Sequence, residues 1–232
     1  MAKKGKVKKI KPSKKPRISA AWIYVILLVF AVGIYANTLG HDYVLDDAIL
    51  ITENAYTKKG VAGLKDIFSH DTFHGFFQKE GKDQLVTGGR YRPLSQAIFA
   101  VYYSLFGLNP LVGHLSNILL YALLVCSLFF VIRHFTSISF PLGMSQHFAA
   151  VAALLFAAHP VHTEVVANIK GLDEILVLLF GIWSLYFAHL SMSRKNVRAS
   201  IASGILFFLA LLSKENALAF LGVIPLTLFM FT

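Results

Sequence analysis

One cysteine in 232 residues, Cys126, lies within the apolar run at residues 115–132. Its solitude excludes an intramolecular disulfide and a cysteine-rich metal site, and it leaves the redox compartment unreadable. Charge is scarce as well. Only 15% of residues are Asp, Glu, Lys or Arg against 56% hydrophobic, and the mean hydropathy is +0.63, which excludes a soluble globule and marks a membrane protein. No internal repeat is present, and no low-complexity tract apart from a lysine-rich start. The net charge of +10 would suit nucleic acid, but nine of the 22 basic residues fall between Lys3 and Arg17, before any apolar segment. They form a tail rather than a binding face, and no nucleic-acid partner is expected.

What is present is a series of apolar runs. The first, residues 18–35, has about the length needed to cross ~30 Å of hydrocarbon, with Trp22 and Tyr24 near its start. A cleaved signal peptide is the rival reading, but the run is long for one, and Tyr35-Ala36-Asn37 is a poor small-residue cleavage site. Residues 38–91 are polar and mixed in charge. Within them Val61, Leu64, Ile67, Phe68, Phe73, Phe76 and Phe77 recur at three-to-four-residue spacing, with Lys65, Asp66, Asp71 and Lys79 between. That pattern predicts amphipathic helices in the membrane interface, and Gly88-Gly89 closes the region. Residues 93–108 are apolar and aromatic but marginal in length for crossing. Clearer runs follow at 112–132, 142–158, 175–190, 199–212 and 217–231, and the chain ends within the last, like a piece of something longer.

Orientation decides the marginal run. With 93–108 on the outer surface, the inside segments (1–17, 133–144 and 191–198) hold 13 of the 22 basic residues and no Asp or Glu, as the positive-inside rule requires. A full span there would flip everything after it. The reading is therefore an all-α polytopic membrane protein with about six transmembrane helices. A basic cytoplasmic tail (1–17) precedes the transmembrane domain (18–232), which carries surface helices in a large first external loop (38–111).

That topology gathers four polar clusters on one side. Asp46-Asp47 sits in an apolar stretch, where burial would raise a carboxylate's pKa and fit one for general-base work; in an extended segment only one of the two faces a given pocket, and the bland alternative is a turn or cap. Arg90-Tyr91-Arg92-Pro93 puts two guanidinium groups at a helix start, suited to phosphate, with snorkelling to lipid headgroups as the alternative. His159-Pro160-Val161-His162-Thr163-Glu164 and Lys170-Gly171-Leu172-Asp173-Glu174 read as a polar loop near the membrane. A metal between His159, His162 and Glu164 is disfavoured because Pro160 spoils the geometry, and Asp173-Glu174 could equally cap the following helix. Lys214-Glu215 reads as a hairpin tip whose charges neutralise each other, or as part of the site. His114, Ser116 and Asn117 suit helix packing, and His189 suits snorkelling.

In this order the clusters resemble the glycosyltransferase-C superfamily, and within it the N-terminal part of transmembrane and tetratricopeptide-repeat O-mannosyltransferases and their bacterial relatives. The resemblance rests on Asp46-Asp47-Ala48-Ile49 with Asn54, on Tyr91-Arg92-Pro93-Leu94 with Leu105-Phe106-Gly107, on the His159-to-Glu164 block with Asp173, and on Lys214-Glu215. It implies inverting transfer of mannose or another hexose from a polyprenyl phosphate carrier to a protein or glycan hydroxyl. Asp46 would be the base and Asp47 the neighbouring alternative, with Arg92, His162, Glu164, Asp173 and Lys214 around carrier or acceptor; Arg90, His159 and Glu215 join them by position. No cofactor is required, and a divalent metal is unsupported. The implied location is the endoplasmic reticulum membrane or a bacterial inner membrane, among lipids, with the N-terminus cytoplasmic. A transporter or lipid-linked saccharide flippase using Asp46, Asp173 and Glu215 is the rival, disfavoured because ionisable residues cluster at span ends. A noncatalytic membrane scaffold is the third reading.

Overall fold

The computed structural model of the chain describes residues 19–77 and 90–232. The basic tail, Lys79 and the Gly88-Gly89 pair lie outside the described residues. Among the described residues every regular element is helical. Three segments are long and apolar enough to cross a membrane, Ala20–Gly40, Pro110–Ser139 and Ile169–Arg194; three shorter apolar helices accompany them, Leu142–Ala158, Val197–Ser213 and Glu215–Phe231.

Helix α1 (Ala20–Tyr35) begins where the Ser19 hydroxyl accepts the Trp22 amide. Its buried residues, Ile23, Leu27, Ala31 and Tyr35, recur every fourth position and form one stripe, while Trp22, Val25, Leu28 and Val29 stay exposed as suits a lipid-facing surface. Four short helices follow in the first loop: α2 (Ala55–Lys58), α3 (Leu64–Ser69), α4 (His74–Phe77) and then the longer α5 (Pro93–Phe106). At 1.5 Å per residue the 14 residues of α5 reach only ~21 Å, short of a crossing. Its inner face, including Ala97 and Ala100, packs on Ile67 and Leu64 of α3.

Helix α6 (Pro110–Ser139) is the central one, started by Pro110 at its first position and by the Asn109 side chain accepting the Leu111 amide. Helix α7 (Leu142–Ala158) lays Ala149, Ala153 and Ala157, all fully buried, against the core cluster that includes Val125 and Phe129 of α6; small residues every fourth position let two backbones approach. Pro160 forbids its continuation. After α8 (His162–Ala167) comes α9 (Leu172–Arg194), then α10 (Val197–Ser213) and α11 (Phe220–Phe231). Lys195 turns the chain in a left-handed conformation, and α9 and α10 lie along each other, joined by reciprocal bonds from Ser184 Oγ to the Ser203 carbonyl and from Ser203 Oγ to the Ser184 carbonyl, both 2.9 Å. His189, expected to snorkel, instead is buried, because its ring is held between His134 at 3.1 Å and Ser193 at 3.1 Å.

The segment between α8 and α9 is tightly packed. A Cβ on Gly171 would lie 2.1 Å from the Val165 carbonyl oxygen, a backbone atom that cannot rotate away. Gly171→Ala is therefore expected to displace residues 168–173 at a cost of about 1–3 kcal/mol. A thermal midpoint in detergent equal to that of the parent chain would contradict it.

Candidate active site

The first loop is built by its own side chains. Val44 to Asp47 form a turn in which Leu45 adopts a positive φ of 41°, and Asp47 closes it with its amide on the Val44 carbonyl at 2.9 Å and its Oδ2 accepting the Val44 amide at 3.0 Å. Its other oxygen, Oδ1, accepts the Lys170 backbone amide at 2.8 Å. Asp47 is fully buried, and burial raises its carboxyl above the usual range against the lowering effect of those two amides. Asp46 points elsewhere. Its side chain is 48% exposed, and Oδ2 accepts Lys170 Nζ at 3.0 Å. One lysine thus touches both carboxylates, by its backbone and by its tip.

Asp46 and Lys170 line a small cleft with Thr72, Phe73, Arg90 and Arg92. Its far wall is held by Asn54, whose side chain caps α2 by accepting the Tyr56 and Thr57 amides and donates to the carbonyls of Ile49 and Thr72. The Thr72 amide in turn donates to the Arg90 carbonyl at 2.8 Å, which sets the Arg90-Tyr91-Arg92 segment beside the Asp46 turn. The Arg90 guanidinium rides over the Phe73 ring, 5.6 Å from its centre.

Arg92 does not reach for solvent. Nη1 donates to Asp173 Oδ2 at 2.8 Å, while Nε and Nη2 grip Glu215 at 3.0 and 2.6 Å. Burial works against the guanidinium charge, but Glu215 and Asp173 outweigh it and keep Arg92 firmly charged. Beside this fork Lys214 donates to Glu174, whose other oxygen accepts Asn216 Nδ2 at 2.9 Å. Lys214 and Glu215 therefore do not neutralise each other: Lys214 is extended, with φ −166° and ψ 146°, and neighbours in such a backbone point apart. The Arg92 fork holds the Glu215 carboxyl down at about 2. A depressed carboxylate stabilises the fold fully above its ordinary value of 4.5 and loses that contribution as pH falls toward the folded value. The thermal midpoint should drop across that window, and Glu215→Gln should flatten the drop; identical pH profiles for the two proteins would refute the link.

The turn at 44–47, the start of α5, the start of α9 and the α10–α11 connection are thus tied into one cluster of four carboxylates and three cations. The chain is similar in sequence to known proteins. The chain is 31% identical over 200 residues to protein O-mannosyl-transferase TMTC2 of Homo sapiens, covering 82% of this chain and 22% of that protein. It is 30% identical over 214 residues to protein O-mannosyl-transferase F38B6.6 of Caenorhabditis elegans, covering 89% and 28%, and 33% identical over 173 residues to protein O-mannosyl-transferase tmtc2 of Xenopus laevis, covering 71% and 19%. This chain is a homologue of the TMTC-type O-mannosyl-transferases. It spans about a fifth to a quarter of the length of these relatives. No family model matches it, and no solved structure does.

In this TMTC homologue the histidine block lies apart from the Asp46 cleft. His159 lines a groove of about 370 Å³ with Tyr35, Thr38, His41 and Thr163, and that groove continues past Val161 to Glu164 and Asn168. The two share no lining residue with the cleft. His159 Nδ1 accepts the Val161 amide at 3.2 Å, and the His162 ring packs on Phe156 at 4.1 Å and Tyr121 at 5.8 Å, where burial lowers its pKa. Among the described residues no three His, Cys, Asp or Glu side chains are arranged to hold a metal. Asn117 Nδ2 donates to the carbonyls of Asn168 and Ile169 at 2.9 and 3.2 Å, anchoring the lysine turn to α6.

Lys170 is the residue that sequence reasoning leaves out. It stands in the quoted Lys170-Gly171-Leu172-Asp173-Glu174 run, but a lone lysine in a polar loop ordinarily faces water. The bonds from its amide to Asp47 and from its tip to Asp46, 123 and 124 residues away, draw it into the site.

Proposed function

We propose that this chain forms the reacting part of a membrane O-mannosyltransferase, which moves mannose from a polyprenyl phosphate carrier to a hydroxyl of a protein acceptor. Six segments cross the membrane in this reading: α1, α6, α7, α9, α10 and the apolar run at 217–231 that contains α11. α5 and the short helices before it lie in the interface on the outer or lumenal side. The tail at 1–17 is cytoplasmic, residues 18–232 are the transmembrane domain, and the membrane is that of the endoplasmic reticulum or a bacterial inner membrane. The observation that carries the reading is the Asp46 cleft, where an exposed carboxylate and the cations of Arg90 and Lys170 meet at the ends of the apolar helices. The TMTC names of the relatives supply the sugar and the class of acceptor.

In the transfer, Asp46 takes the proton of the acceptor hydroxyl as its oxygen bonds to the anomeric carbon. The bond from that carbon to the carrier phosphate breaks on the opposite face, its electron pair leaves with the phosphate oxygen, and the configuration inverts. Asp47, with both oxygens on backbone amides, positions the turn and does not exchange protons with substrate. The decisive assay presents membranes containing the chain with radiolabelled polyprenyl phosphate mannose and an acceptor protein. Label on the acceptor above the background of Asp46→Asn membranes is expected, and none above it would overturn the reading.

A further inference from the structure

The cations around the cleft are unequally committed, and the inequality says which of them an entering anion can take. Arg92 makes three bonds to two carboxylates, and its side chain is 7% exposed. Lys214 is paired to Glu174 and does not line the cleft. Arg90 lines the cleft, exposed over Phe73. Lys170 also lines it, and among the described residues its tip holds one partner, Asp46 Oδ2 at 3.0 Å. The ion pairs join four carboxylates to Arg92, Lys170 and Lys214, and Arg90 stands outside them. A phosphate entering this cleft meets Arg90, which is in no ion pair among the described residues, and any second cation it draws on must leave its present partner without stranding a buried charge. Arg92 fails that condition, because its departure would leave Asp173 buried and unpaired. Lys170 meets it, because Asp46 is half exposed and water can take over its solvation.

We propose that Lys170 is an exchangeable cation that caps Asp46 in the empty site and moves to the carrier phosphate when the donor binds, releasing Asp46 as the base. This rests on the reading of the cleft as a sugar-transfer centre. The geometry is suited to a swinging tip on a fixed root. The Lys170 amide is held by Asp47 Oδ1 at 2.8 Å and by Asn168 Oδ1 at 3.2 Å, so only the side chain is free to move. Donor binding then precedes productive acceptor binding, since a carboxylate occupied by an ammonium group is a poor acceptor for a hydroxyl proton. Once the bond from the anomeric carbon to the phosphate oxygen breaks, the electron pair left on that oxygen faces Lys170 and Arg90. The proton from the acceptor sits on Asp46 until water removes it.

The full chain in membranes is assayed with polyprenyl phosphate mannose and an acceptor protein, as wild type, Lys170→Met and Lys170→Arg. Lys170→Met should raise the donor KM by about tenfold or more and weaken inhibition by free polyprenyl phosphate by a similar factor, with the acceptor KM changed less than about twofold. Lys170→Arg should recover most of the donor KM. A second measurement does not depend on turnover: in equilibrium binding of radiolabelled polyprenyl phosphate, Asp46→Asn should bind severalfold more tightly than wild type, because it no longer competes for Lys170. A donor KM unmoved in Lys170→Met, or weaker carrier binding in Asp46→Asn, overturns the exchange. Wild-type membranes that transfer no mannose at all instead overturn the functional reading beneath it.

Discussion

Replacing Asp46 by Asn is expected to lower mannosyl transfer by on the order of 10²- to 10⁴-fold, the usual contribution of a positioned base, while the chain still folds and inserts. The fold should survive because among the described residues the Asp46 side chain makes one bond, to a lysine tip, and is half exposed. Asp47→Asn should fail differently. Its two oxygens accept backbone amides from Val44 and Lys170 in a fully buried position, and an amide group must present an NH2 where one of those acceptors stood. The expected cost is about 1–3 kcal/mol of stability, with activity falling in proportion to the folded protein that remains. Measuring transfer per folded molecule separates them: a per-molecule loss at position 47 as large as at position 46 would exchange the assigned roles.

The elements of this fold were legible because they are long apolar runs, and run length survives any tertiary arrangement. The runs at 112–132 and 175–190 correspond to α6 (Pro110–Ser139) and α9 (Leu172–Arg194), each of which extends past its run at both ends, α6 mostly at its C-terminal end. Those extensions come from caps and end packing, such as Asn109 with Pro110, that carry little hydropathy. The polar blocks were legible as blocks. Their pairing was not, because which acid meets which base depends on how distant segments approach. Lys214 and Glu215 are adjacent, yet their partners lie 40 and 123 residues away. Arg92 read equally well as a phosphate ligand, and only its three bonds to Asp173 and Glu215 reveal that its charge is already spoken for. Lys170 carried no local signal at all, since its role depends on a turn contributed by residues 44–47.

Removing the Arg92 guanidinium is expected to have the largest effect on stability, and the effect should be lopsided. Arg92→Met leaves Asp173, 1% exposed, as an unpaired carboxylate whose Oδ1 already has no hydrogen-bond partner among the described residues. Breaking a buried pair from one side typically costs about 3–5 kcal/mol. The other arm of the fork is different in kind, because the Glu215 side chain is 59% exposed and water can replace the guanidinium. Glu215→Gln at neutral pH should therefore cost under about 1 kcal/mol. If the penalty of Arg92→Met arises from the stranded charge, neutralising that charge must relieve it, so Arg92→Met combined with Asp173→Asn should be more stable than Arg92→Met alone. Thermal midpoints of the wild type, Arg92→Met, Asp173→Asn and the double variant in one detergent decide the matter. A double variant less stable than Arg92→Met, with losses that simply add, would mean that Arg92 acts through packing of its stem and that the buried ion pair is not what joins α5 to α9.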